Sequence, residues 1–319
     1  YRQLVNSAWY LEYHYKKIDQ CFRKFSDSHK YDVIHAHDPC ALSFFASKPG
    51  RKILSIHSKG TFIEEFSISH AGEKYNELQT KISCLERKGL EIADQVIFPS
   101  KAAMNMYIQN EFSSIGHKST VIYNGVDLEK ISRIHPDDRS NQIVNKIGAG
   151  DGIMLNVAEH TPQKNIKLLL EVLAAIKSQK KDWRLIQVGS GVLTEELKKY
   201  TEYLNIQDRV LFLECLDNDN IIRLMKSVDV VIMVSQKVVF DYVILEAMAC
   251  GAVVMASDEG GNKEVIQDGV NGYLVKDMTV NKIIEMLENY NKNLGKYTHS
   301  SIKDYSKETM ITKYIKNYK

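Results

Sequence analysis

The 319-residue sequence has few cysteines, almost no net charge and no long apolar run. Its five cysteines are odd in number and scattered without a C-x-x-C pair, so neither a disulfide framework nor a zinc site is expected. Lys plus Arg is 42 and Asp plus Glu is 40, a balance that excludes a strongly basic nucleic-acid-binding face. The most apolar stretch, residues 242–256, contains Glu246 and is shorter than the roughly 20 residues that span a bilayer. We therefore expect a reduced, cytoplasmic, globular protein.

Short β-branched segments alternate with amphipathic segments along the chain. The pattern predicts strands at 32–36, 52–57, 95–98, 120–123, 153–157, 184–188, 210–213, 229–234 and 252–256. It predicts helices at 166–177, 219–226, 282–290 and 309–318. Strands that are apolar throughout and alternate with helices are typical of parallel sheets covered on both faces.

A polar segment, residues 129–151, separates the two halves of this pattern. It carries Pro136, ends in Gly-Ala-Gly-Asp and shows little apolar periodicity, which is typical of a domain boundary. The sequence therefore predicts an α/β fold with two doubly wound domains. We expect an N-terminal domain at residues 1–128, a C-terminal domain at 129–300, and a final helix within 301–319 that crosses back to the first domain.

The segment before residue 32 has the pattern of a basic, aromatic helix. Lysines and arginines alternate there with Trp9, Tyr10, Tyr13, Tyr15, Phe22 and Phe25. Such a helix either packs its aromatic side on the sheet, the commoner cause, or contacts an anionic membrane surface peripherally. Because only this helix precedes the first predicted strand, we expect about two βα units before Tyr1 in a complete domain.

Candidate binding residues lie where the predicted strands of the second half end. Lys164 precedes a helix, where an ammonium group and free N–H groups together suit a phosphate, although a lone surface lysine is the simpler interpretation. Glu246, inside an apolar helix, could accept both hydroxyls of a ribose or be favoured by the helix dipole. The residues Asp217-Asn218-Asp219 match a D-x-D pattern, which we interpret as a turn and helix cap.

Several motifs, modest one by one, are specific in their order and spacing. They are Asp32-Val33-Ile34-His35-Ala36-His37, Phe98-Pro99-Ser100, Val121-Ile122-Tyr123-Asn124-Gly125-Val126-Asp127, Pro162-Gln163-Lys164-Asn165 and the block 245–274. From about residue 32 onward the chain resembles the GT-B family of nucleotide-sugar-dependent glycosyltransferases known as glycosyl transferases group one. The resemblance implies two Rossmann-like domains facing across a cleft. It also implies retaining transfer from a nucleotide-diphosphate sugar, without a metal or other cofactor.

The resemblance also implies roles for individual residues. Lys164 corresponds to the family's lysine on the donor diphosphate, and Glu246 to the second glutamate of its E-x7-E motif, which holds the ribose. His57 corresponds to the histidine that reaches the transferred sugar, and the resemblance implies that His57 and Lys164 are the catalytic residues. A structural capping role for His57 is equally open. The other implied donor-binding residues are Gly189 and Gly191 near the nucleotide, Leu216 near the base, and Phe240, Asp241, Tyr242 and Val243 around the distal phosphate.

The sequence departs from the family pattern at two positions. Glu159 stands where the family usually has arginine; a carboxylate about 4 Å from a phosphate would cost roughly 4 kcal/mol at an effective dielectric constant near 20, so we expect it to point away. Val238 stands at the first glutamate of E-x7-E and cannot accept a hydrogen bond from the donor sugar.

Two functions therefore remain open from the sequence. The favoured one is a glycosyltransferase that acts on a polysaccharide, glycolipid or glycoprotein acceptor, including lipid-linked glycans of the cell envelope. The alternative is a non-catalytic pseudo-glycosyltransferase that binds a partner enzyme or an acceptor. Lys164 and Glu246 favour the first, whereas Val238 and Glu159 favour the second.

Overall fold

The computed structural model describes residues 16–17, 20–21, 24, 30–58, 60–64, 76–109, 112–148, 150–236 and 238–319. The aromatic side chains of the predicted N-terminal helix lie outside these residues. The chain divides into two compact units, one comprising Tyr1–Tyr123 and Ile311–Lys319 and the other Asn124–Met310. Among the described residues, no helix combines the length and the apolar character that crossing a membrane requires.

The first unit is built on a parallel sheet in the order β1-β2-β3-β4. Its strands are β1 (Val33–Ala36), β2 (Arg51–Ser55), β3 (Gln95–Phe98) and β4 (Ser119–Val121). The helices between them are α1 (Pro39–Ser43), α2 (Asn76–Ile92) and α3 (Lys101–Gln109). Ile53, Leu54 and Phe98 are fully buried, because the central strands are covered on both faces.

The second unit is built on a six-stranded parallel sheet. Its strands are β5 (Gly152–Val157), β6 (Trp183–Val188), β7 (Val210–Leu213), β8 (Val230–Met233), β9 (Val253–Ser257) and β10 (Tyr273–Val275). Its helices are α4 (Leu128–Arg133), α5 (Asp138–Ile147), α6 (Ile166–Ser178), α7 (Thr194–Tyr203), α8 (Asn218–Met225), α9 (Tyr242–Ala249), α10 (Asn262–Val265), α11 (Val280–Asn289) and α12 (Gly295–Ser301). In α6, the buried Leu169, Leu173 and Ile176 recur at helical spacing and cover one face of the sheet.

The order of the six strands places a reversal in the middle of the sheet. The chain runs outward from β5 through β6 to β7, returns to β8 beside β5, and then continues to β9 and β10 on the other side. This is the doubly wound order in which ligands bind outside the carboxyl ends of the strands on either side of the reversal. The loops after β5 and β8 therefore mark where a ligand site is expected.

The final helix, α13 (Lys307–Tyr318), reaches strands of the first unit with two of its tyrosines. The Tyr318 hydroxyl lies 2.8 Å from His35 Nδ1, and the Tyr314 hydroxyl lies 3.3 Å from Ser55 Oγ. The domain limits expected at residues 128 and 300 stay predictions.

The nine predicted strands are confirmed to within two residues at each end, and so are the doubly wound parallel sheets. Three elements were not predicted from the sequence. Strand β10 was missed, and so were helices α4 and α5, which begin at Leu128 and Asp138 and fill most of the polar segment 129–151. Ile131 and Ile147 of these helices are buried in the core of the second unit.

Candidate functional site

The loops that follow β5 and β8 meet at the strand reversal. The Gln236 N–H, after β8, donates to the Gln163 carbonyl, after β5, at 2.8 Å. This bond holds together two segments that are far apart in the sequence. It also places Lys164 beside the chain that leads into α9.

Lys164 faces Asp241, the residue at the N-terminus of α9. Its Nζ lies 3.6 Å from Asp241 Oδ1, and both side chains are largely shielded from solvent, with 22% and 14% exposed. Lys164 ends a short 3-10 turn, and the following Asn165 has a φ of 50°, which lets the chain enter α6 abruptly. The ammonium group is therefore held at the reversal rather than extended into solvent.

Helix α9 begins at the carboxyl edge of the sheet. Tyr242 and Val243 form its first turn; the Tyr242 side chain is 47% exposed, whereas Val243 packs against the core. Phe240 stacks on Tyr305 with ring centroids 6.2 Å apart, which fixes the chain just before the helix. Because the N-terminus of a helix carries partial positive charge, its beginning beside Lys164 is suited to an anion.

Glu246 lies further along α9, about 7 Å from its N-terminus at the rise of an α-helix. The Asn218 side-chain amide donates to Glu246 Oε1 at 2.7 Å. Burial raises the pKa of the Glu246 carboxyl, against the lowering effects of the Asn218 bond and the Lys130 charge. Lys130 itself is paired with Asp219 at 2.6 Å. A fixed, partly buried carboxylate of this kind can accept hydrogen bonds from paired hydroxyls.

The turn after β6 passes close to the loop after β5. Gly189 has a φ of 131°, and a side chain there would place its Cβ 2.1 Å from the Ala158 carbonyl oxygen, so only glycine fits. The Gly191 N–H donates to Thr194 Oγ1 at 2.9 Å, and His160 Nδ1 lies 2.9 Å from the same hydroxyl. Leu216, after β7, is partly buried against the core of the unit.

The two departures from the family pattern have different surroundings. Glu159 is exposed, and its expected orientation away from the diphosphate stays a prediction. Val238 is only 6% exposed. Its carbonyl oxygen would be 1.7 Å from a Cβ at Gly260, so the loop after β9 packs directly on the loop after β8.

The first unit holds its own polar cluster, at the carboxyl ends of β1 and β2. His57 Nε2 lies 2.9 Å from His37 Nδ1, and burial followed by the His37 charge lowers the pKa of His57. A cavity of about 190 Å3 beside them is lined by His37, Pro39, Ile56, His57, Ser58 and Phe62. The role of His57 toward a donor sugar stays a prediction.

The structure thus brings Lys164 close to Asp241 at the N-terminus of α9, and Glu246 lies further along α9. Asp217 caps α8 by accepting from the Asn220 N–H at 2.9 Å, which confirms the interpretation of the D-x-D pattern as a cap. Sequence reasoning missed the roles of Asn218, which orients Glu246, and of Asp241 as the partner of Lys164. The only sequence signal for Asn218 was its place inside the D-x-D pattern.

Two family models match the chain. The model described as Glycosyl transferases group 1 matches residues 137–304, which contain all six strands of the second sheet. The model described as Glycosyltransferase Family 4 matches residues 6–130, which contain the four strands of the first sheet.

Individual proteins match over much of the chain. An uncharacterized glycosyltransferase of Methanocaldococcus jannaschii is 30% identical over 254 residues, covering 77% of this chain and 62% of that protein. The N-acetyl-alpha-D-glucosaminyl L-malate synthase of Bacillus anthracis is 28% identical over 296 residues, covering 89% of this chain and 73% of that protein. The chain thus spans less than two thirds of the length of the first of these relatives.

A solved structure has a similar fold over almost the whole chain. The Anabaena protein HepE, determined in complex with UDP, matches with a TM-score of 0.72 and 22% sequence identity. The match covers 95% of this chain and 81% of that one. At this level of identity, the similarity establishes the fold.

Proposed function

The chain belongs to the glycosyl transferases group 1 family and has the GT-B fold, and on that premise we propose that it transfers a sugar from a nucleotide-diphosphate sugar with retention of configuration. The observation that carries the proposal is the meeting of Lys164 with the N-terminus of α9 at the strand reversal. A diphosphate is the ligand that this combination of an ammonium group and helix N–H groups would bind best.

The same groups would assist the chemical step. When the bond between the sugar and the diphosphate breaks, negative charge develops on the departing phosphate oxygen. Lys164 and the backbone amides of residues 241–243 would stabilise that charge, and because they are already in place, little reorganisation is needed. We propose that no metal takes part, and that a donor phosphate oxygen takes the proton of the acceptor hydroxyl.

Glu246 would hold the other end of the nucleotide. The bond from Asn218 fixes Oε1 and orients the carboxylate. The distance from Glu246 to the start of α9, about 7 Å along the helix, is similar to that between the ribose hydroxyls and the terminal phosphate of a nucleoside diphosphate. Gly189, Gly191 and Leu216 would flank the nucleoside.

Relatives support the coarser part of this proposal. The Bacillus anthracis relative is named for an N-acetylglucosaminyl group, and the Anabaena structure contains UDP. We propose a nucleotide sugar as the donor and, as acceptor, a polysaccharide, glycolipid or glycoprotein glycan of the cell envelope.

The test of the proposed function is the affinity for a nucleoside diphosphate, measured calorimetrically with UDP, GDP and ADP. Lys164→Ala should weaken the binding of the preferred nucleotide by about 10- to 100-fold, the value of a hydrogen bond to a charged group. The matched control is Lys177→Ala, which removes an exposed lysine paired with Asp208 in the same unit. Unchanged affinity in Lys164→Ala, or the absence of binding to the unmodified protein, would contradict the proposal.

A further inference from the structure

Asp241 differs from the other aspartates that begin helices in the second unit. The side chains of three such aspartates, Asp127, Asp137 and Asp217, each accept a hydrogen bond from a backbone N–H in the first turn. This is the common role of aspartate at a helix N-cap and stabilises the helix. Asp241 is the N-cap of α9, and its side chain accepts no such bond. The sequence thus places a carboxylate here without using it as a cap.

The Asp241 carboxylate turns toward Lys164 instead. Oδ1 is 3.6 Å from Lys164 Nζ, and Oδ2 is buried without a hydrogen-bond partner among the described residues. Leaving a buried carboxylate oxygen unpaired costs free energy. Because only 14% of the Asp241 side chain is exposed, solvent ions screen its charge less than that of a surface aspartate.

The pair also leaves little net side-chain charge at the proposed diphosphate site, where the backbone amides at the start of α9 add their partial positive charge. Lys164 is the ammonium group that would meet the distal phosphate, and Asp241 offsets its single charge. A ligand placed there therefore meets an attractive lysine and a repulsive carboxylate together. The net interaction depends on how much negative charge the ligand brings.

Donor and product differ in that charge. In a nucleotide sugar the distal phosphate is a diester with one negative charge, whereas in the released nucleoside diphosphate it is a monoester with about 1.5 to 2 negative charges at neutral pH. The bond that breaks lies between the sugar carbon and the phosphate oxygen, and its electron pair stays on that oxygen. The extra charge therefore appears beside Asp241.

Resting on the proposed function, we propose that the Asp241 carboxylate makes this site select the nucleotide-sugar donor over the nucleoside diphosphate product. Repulsion by a charge a few ångströms away acts on both ligands but is stronger for the product. Asp241 thereby weakens product inhibition and favours release of the nucleotide after transfer. It acts as a specificity-determining residue and needs no contact with the sugar.

The experiment compares UDP with UDP-glucose by calorimetry at neutral pH, in the unmodified protein and in Asp241→Asn. The amide keeps the shape of the side chain and removes its charge. We expect Asp241→Asn to tighten UDP by about tenfold and UDP-glucose by about three- to fivefold, because the repulsion scales with the charge of the ligand. Asp241→Ser, which removes the same charge with a smaller side chain, should also tighten UDP more than UDP-glucose. Thermal melting shows whether each variant is folded.

The matched control is Asp182→Asn. Asp182 is also ion-paired, with Arg184 at 2.8 Å, but it precedes β6 and so lies at the opposite edge of the sheet. The Asp182→Asn variant should bind UDP and UDP-glucose with the same affinities as the unmodified protein. Equal effects of Asp241→Asn and Asp241→Ser on UDP and UDP-glucose, or no effect, would overturn this inference alone. Absence of binding of UDP, GDP and ADP to the unmodified protein would overturn the proposed function and this inference with it.

Discussion

Among single residues, Glu246 has the surroundings of a group that binds hydroxyls rather than those of a surface carboxylate. Asn218 fixes one of its oxygens, and burial raises its pKa. An acidic group that is held in place and partly desolvated forms stronger hydrogen bonds than one in water. We therefore propose that a bound ribose, rather than helix stability, accounts for its place in the middle of an apolar helix.

We predict that Glu246→Gln removes the preference for ribose. The unmodified protein should bind whichever of UDP, GDP and ADP it prefers at least about tenfold more tightly than the 2′-deoxy form, because a hydroxyl bonded to a carboxylate contributes about 1.5–3 kcal/mol. The variant should bind the two nucleotides alike. Glu288→Gln, at an exposed carboxylate paired with Lys181, is the control and should keep the preference. A Glu246→Gln variant that still discriminates would remove Glu246 from the ribose site.

His35, in the first unit, is a second residue whose surroundings have a measurable consequence. Its ring contacts the Tyr318 and Ser55 hydroxyls at 2.8 Å each, and it lies beside His37 and Tyr314. Burial, and then the charges of His37 and His57, lower its pKa from 6.5 to about 4. In the folded protein His35 is therefore neutral at pH 7.

Between pH 6.5 and 4 the unfolded chain binds the His35 proton more tightly than the folded protein, so the free energy of unfolding must fall as pH falls through this range. We predict that His35→Gln flattens the decline between pH 7 and pH 5 by about 1 kcal/mol, allowing for solvent screening. Chemical denaturation at the two pH values measures this. His135→Gln, at an exposed position in the second unit, should leave the decline unchanged. An equally steep decline in His35→Gln would contradict the assignment.

At the scale of elements, the loops after β8 and β9 support each other without any intervening side chain. Gly260 has a φ of 52°, and its backbone lies against the Val238 carbonyl. The Gly261 N–H donates to the Val239 carbonyl at 3.1 Å. The position of the chain that leads into α9 therefore depends on the turn after β9.

We predict that Gly260→Ala destabilises the protein by about 2–4 kcal/mol, because its Cβ would overlap a backbone carbonyl that must then move. It should also weaken UDP binding, since Asp241 and the start of α9 would shift. Gly269→Ala is the control: its φ is 74°, but nothing lies within 4 Å of its Cβ. It should cost only about 1 kcal/mol of backbone strain and leave binding unchanged. Similar losses in both variants would show that strain, not the close approach, matters at Gly260.

The periodicity of apolar residues predicted most of the strands and helices of the two units, because apolar strands and amphipathic helices leave a local signal in the sequence. β10 was missed because its three residues, Tyr273–Val275, stand between polar and glycine-rich turn residues, whereas the equally short β4 lies in the longer β-branched run 120–123. Helices α4 and α5 were missed because their buried residues, such as Ile131 and Ile147, are few and widely spaced. No local pattern predicts that Lys164 and Asp241 pair, since this depends on the position of β8 beside β5; only the family resemblance placed both residues near one diphosphate.

At the scale of the whole molecule, the strand order explains why residues from distant parts of the chain form one site. Lys164 follows β5 and Asp241 follows β8; the two strands are neighbours because the chain reverses direction across the sheet after β7. Identifying Lys164 and Glu246 from the sequence required the family resemblance, because a single lysine or glutamate has many other uses. The family model over residues 137–304 and the strand order agree that the second unit is a parallel-sheet domain of the glycosyl transferases group 1 family.

Release of nucleoside diphosphate from a panel of UDP-, GDP- and ADP-sugars tests whether this chain is a transferase that uses Lys164 at the donor diphosphate. Water serves as the acceptor where no glycan acceptor is supplied. We predict measurable release from at least one donor by the unmodified protein, and a loss of about 100-fold or more in Lys164→Ala, with Lys177→Ala unaffected. No release from any donor, or equal release by the unmodified protein and Lys164→Ala, would contradict the account.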